Sequence, residues 1–89
     1  MARYEMSAGE IALLAPAAAD GQAYFELGCM YAAGRSAAPD LVAAHKWFNV
    51  ACIRGYAEAA VRRAELAAEM TAAEVAAAQR EARLWLTRH

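Results

Sequence analysis

His45, Asn49 and Cys52 stand at i, i+4 and i+7, which places an imidazole, a carboxamide and a thiol on one face of any helix that contains them. That is the inventory of a thiol nucleophile with its base. Residue types are not enough for this chemistry, however. A bare helix face provides no oxyanion hole, and the spacing matches no local cysteine-hydrolase signature. The competing reading is packing, with Cys52 a small filler and His45 a surface residue beside the apolar stripe of Ala44, Phe48 and Ala51. Packing is the stronger reading. A thiol hydrolase built on Cys52 and His45 is kept as the remote alternative.

Other reactive residue types are scattered. Cys29 and Cys52 form neither a CxxC nor a zinc-ligand spacing, so they read as free, buried thiols in a reducing compartment. His45 and His89 with two distant cysteines make no metal site. The segment GYAEAA (55–60) lacks the lysine and the preceding strand of a phosphate loop. Glu5, Glu10, Glu26 and Glu58 fall on separate elements and suggest no acid–base pair. No cofactor and no catalytic residue is expected.

The net charge is −1 with both signs interspersed, which carries neither a nucleic-acid nor an anionic-membrane footprint. Arg80, Arg83 and Arg88 tint the last segment basic, but Glu74 and Glu81 balance it. Ile11–Ala19 (IALLAPAAA) faintly resembles a signal-peptide core, yet Glu5 and Glu10 occupy the place of its positive flank. Cytoplasm is the expected compartment.

The elements that would hold these residues are helices. The 89 residues include 27 alanines, and Val and Ile together number only six. Alanine is the strongest helix former, and so few dispersed β-branched residues argue against strands. No apolar run approaches the roughly 18 residues of a membrane span. Ser7 and Glu10 form a capping box for a first helix near Ala8, interrupted by Pro16. A second helix should run from Gln22 to Ala33, with Ala23, Leu27, Met30 and Tyr31 facing the core and Gly34 as its stop. Asp40 caps a third from Leu41 to Arg54, whose stripe is Leu41, Ala44, Trp47, Phe48 and Ala51, ended by Gly55. A fourth should span Ala57–Met70. Thr71 and Glu74 form another capping box, opening a fifth that runs to about Thr87 on Val75, Ala78, Ala82, Trp85 and Leu86. Short connections predict antiparallel hairpins.

Setting Ala59 on Ala23 aligns GYAEAA weakly with ADGQAY at an offset of 36 residues, the length of one helix–turn–helix unit. Within Ala23–Gly55, eleven spaced residues form a denser pattern: Ala23, Leu27, Gly28, Tyr31 and Gly34, then Asp40, Ala44, Trp47, Phe48, Ala51 and Gly55. This stretch resembles a complete Sel-one-like repeat, a tetratricopeptide-like helical hairpin. Outside it the likeness fades: Ala64 stands where the next repeat would have glycine, and no Tyr-x-x-Gly follows. The tail resembles a closing helix.

The resemblance implies an all-α fold, a short α-solenoid of about five antiparallel helices. Residues 1–89 would be one repeat domain: an N-terminal capping helix (1–20), the full repeat (21–55), then a partial repeat with a C-terminal capping helix (56–89). It also implies that position 45 is a free surface position and position 52 a packing position. Some members clip successive helices with cysteines about eight residues apart, but a partner for Cys52 would fall at Ala60, so that bridge cannot form.

The expected function is a non-enzymatic protein–protein interaction module. Its contact residues would be Gln22, Glu26 and Cys29, on a face shared with Ala33, with Tyr24 and Arg35 nearby. The alternative is a small accessory subunit that self-associates or caps a larger complex, because a short solenoid leaves apolar ends uncovered. The partner would be another protein, with a homo-oligomer possible and neither nucleic acid nor membrane insertion expected.

Overall fold

The computed structural model describes residues 21–34 and 38–89, and every regular element among them is a helix. The order is α1 (Gly21–Ala33), α2 (Leu41–Ile53), α3 (Glu58–Ala67) and α4 (Ala72–Arg88). The helix expected near Ala8 and its capping box lie outside the described residues, as does Arg35.

Local chemistry sets the helix ends. The Asp40 carboxylate accepts from the Ala43 N–H at 3.0 Å and caps α2. The Asp40 N–H in turn donates to the Tyr31 carbonyl at 3.0 Å, which ties the start of α2 to the last turn of α1. At the far end of α2, Gly55 adopts φ 98°. Its N–H donates to Cys52 and that of Tyr56 to Ala51, both at 3.0 Å, which completes a Schellman stop. Gly34, at φ 66°, closes α1 through a bond to Met30. On α4, Thr71 and Glu74 cap each other reciprocally, at 3.1 Å and 2.8 Å. α3 is shorter than Ala57–Met70 at both ends and has no side-chain cap at its start.

α2 is the hub. The other three helices each pack mainly against it and much less against one another. The site where a Gly21 β-carbon would stand lies 2.6 Å from the Ala51 carbonyl, that of Gly28 lies 3.2 Å from the Ala44 carbonyl, and Tyr31 bonds Asp40. Rising numbers on α1 meet falling numbers on α2, so the two helices are antiparallel. Likewise Arg63 of α3 reaches Asn49, while Leu66 clusters with Ala44 and Phe48.

Two apolar clusters flank the hub. One joins Tyr24, Leu27, Trp47, Val50, Ala51, Ala59 and Ala82; the other joins Ala44, Phe48 and Leu66. Of the expected stripes, Ala44, Trp47, Phe48 and Ala51 are buried, as are Ala78 and Ala82 of α4. Met30 departs from expectation. It is 44% exposed, because the packed face of α1 is centred on Tyr24, Leu27 and Gly28 and leaves residue 30 beyond its edge.

Candidate functional site

The Tyr24 ring stacks on Trp47 at a centroid distance of 5.9 Å and 6° between planes. Trp85 arrives from α4 edge-on to both, 5.3 Å from Tyr24 and 5.2 Å from Trp47. Such offset and edge-to-face contacts exploit the ring quadrupoles as well as apolar burial. The Arg54 guanidinium lies over Tyr24 at 5.7 Å and over Trp85 at 5.9 Å, and Lys46 lies over Trp47 at 4.4 Å. The protein's own cations thus occupy the ring faces that a cationic ligand would need. On the other flank, Phe25 packs against Phe48 at 5.5 Å and Tyr56 at 4.9 Å, with Arg62 over Phe25 and Phe48.

This arrangement corrects two expectations. Tyr24, expected among the contact residues, is 3% exposed and belongs to the core, because α4 brings Trp85 against it. His45, expected at the surface, is 2% exposed.

The His45–Asn49–Cys52 face therefore has a defined geometry. Asn49 Oδ1 accepts from the Arg63 guanidinium of α3. His45 Nδ1 is buried without a hydrogen-bond partner. Burial first, and Arg63 second, push its pKa below the ordinary 6.5, so the ring is neutral at pH 7. Cys52 is half-buried against the aromatic cluster, and no hydrogen bond joins it to His45. Nor do the described residues include a group of His, Cys, Asp and Glu able to hold a metal. No helix among them is long and apolar enough to cross a membrane.

Of the expected contact residues on α1, Gln22 and Glu26 are exposed and Cys29 is half-buried. The Cys29 sulfur packs beside the second cluster, 4.0 Å from Arg62 Nη1. The outward stripe of α1 therefore runs through Gln22, Glu26, Met30 and Ala33. Met30 takes the place that the sequence assigned to Cys29. Other exposed apolar side chains are Ile53 (63%), Val61 (57%) and Leu84 (56%), on three different helices.

Comparisons with protein-family profiles, with curated proteins and with solved structures returned no match.

Proposed function

We propose that this chain is a Sel-one-like repeat unit, a short α-solenoid segment whose helical surface binds another protein and performs no chemistry of its own. The residue pattern from Ala23 to Gly55 supports the family reading. An antiparallel hairpin whose glycine meets an aromatic ring agrees with it. In this reading α3 with α4 form a partial repeat and closing helix.

The observation that carries the binding role is the outward stripe of α1. Gln22, Glu26, Met30 and Ala33 occupy one continuous face opposite the buried residues Tyr24, Leu27 and Gly28. It combines a carboxylate, a carboxamide and an adaptable thioether, a mixture suited to a polar-rimmed protein contact. The test is affinity purification with the wild-type chain and with Gln22→Arg/Glu26→Arg/Met30→Arg, its fold checked by circular dichroism. Loss of a wild-type partner from the folded variant is the expected result. Undiminished recovery would remove this face from the proposal.

The accessory-subunit reading has its own support in the exposed Ile53, Val61 and Leu84 side chains. Sedimentation distinguishes the two. A monomer at every concentration rules out self-association and leaves the adaptor role.

A further inference from the structure

His45 is the one buried polar or charged side chain among the described residues, and its Nδ1 meets neither a donor nor an acceptor. Asn49 is its i+4 neighbour on α2, so the two side chains lie one turn apart on one face. Asn49 is held by the Arg63 guanidinium, which fixes a positive charge from α3 on that face. We infer that His45 is an acid-sensitive latch on the seating of α3: neutral, the ring packs as part of the core; protonated, it places an unpaired cation beside Arg63 and loosens the α2–α3 contact.

Arg63 is the charged group that acts on the ring. Glu26 of α1, Glu58 and Glu65 of α3, and Glu74, Arg80, Glu81, Arg83 and Arg88 of α4 are exposed. Lys46 of α2, Arg54 at its C-cap and Arg62 of α3 are half-buried, and none of all these contributes to the shift. Among the described residues, no carboxylate is one of the groups that act on the ring. Burial first and Arg63 second favour the uncharged imidazole, and together they outweigh a backbone hydrogen bond at His45 that favours the charged form.

The sign follows. The unfolded imidazole titrates near 6.5 and the folded one below it. Above the unfolded value the contribution to stability is complete. As the pH falls below it, the unfolded chain binds a proton that the folded chain refuses, and stability is lost until the folded pKa is reached. One proton sets the ceiling: about a tenfold fall in the folding constant per pH unit. The device is independent of which partner the surface binds.

The chain has two histidines, so the assignment can be isolated. Urea unfolding of the full chain, followed from pH 8 to pH 5, compares wild type with His89→Gln and His45→Phe. Wild type and His89→Gln should lose folding constant below pH 6.5, at a slope of no more than one proton, while His45→Phe lacks that loss through the window. A flat wild-type profile, or a His45→Phe profile parallel to wild type, overturns the proposal. If His45→Phe does not fold, NMR titration of wild-type His45 decides. A midpoint below 6.5 with α3 amide resonances moving in step supports it. A midpoint at or above 6.5, or α3 resonances indifferent to the ring, overturns it.

Discussion

The ring of Phe48 lies against the α-carbon of Gly28 so closely that a β-carbon at position 28 would stand 2.6 Å from both Cδ1 and Cε1. The same atom would meet the Ala44 carbonyl at 3.2 Å. A glycine in mid-helix normally costs about 1 kcal/mol relative to alanine. Here that cost is accepted so that α1 and α2 can close over an aromatic ring.

Gly28→Ala should therefore destabilise the protein despite its better helix propensity. Phe48 is fully buried and tilted against Phe25, so its ring has nowhere to withdraw. Overpacking of roughly 1–3 kcal/mol outweighs the propensity gain. The expected outcome is a net loss of up to about 2 kcal/mol by urea denaturation, and a larger one for Gly28→Val.

Gly55→Ala isolates a different effect. A β-carbon there meets nothing within 4 Å, but φ is +98°, in the region that L-residues avoid. The cost is one of backbone conformation alone, about 1–2 kcal/mol. Gly55→Asn should lose less, because asparagine tolerates a positive φ better than alanine does. Equal losses for alanine and asparagine, measured by thermal or urea unfolding, would argue against a conformational origin.

Thr71→Ala removes the acceptor for the Glu74 N–H. The start of α4 would lose about 1 kcal/mol, read as a lower unfolding midpoint with unchanged near-ultraviolet dichroism from Trp47 and Trp85. Glu74→Ala should cost less, because it removes only the reciprocal bond to the exposed Thr71 N–H.

What could be read in the sequence was local. Asp40, Gly55 and the Thr71–Glu74 pair act within three or four residues of themselves, so each announced a boundary that the fold keeps to within a residue or two. The α2 stripe was legible for the same reason: Ala44, Trp47, Phe48 and Ala51 repeat at the helical period and all are buried. The start of α3 carried no side-chain cap, and its boundaries were placed less well.

By itself, then, the chain determined helices, their stops and one apolar face per helix, since each of these depends on neighbours along the backbone. Tertiary structure alone decided how many faces of α2 would be covered. α1, α3 and α4 are all seated on that helix, and His45, expected at the surface, lies in the interior. Trp85, 61 residues beyond Tyr24 in the sequence, turns an expected contact into core. Arg63 finds Asn49 across 14 residues of chain. None of these pairings has a periodic signature, because burial of a second or third face depends on what packs there, and only the assembled fold supplies it.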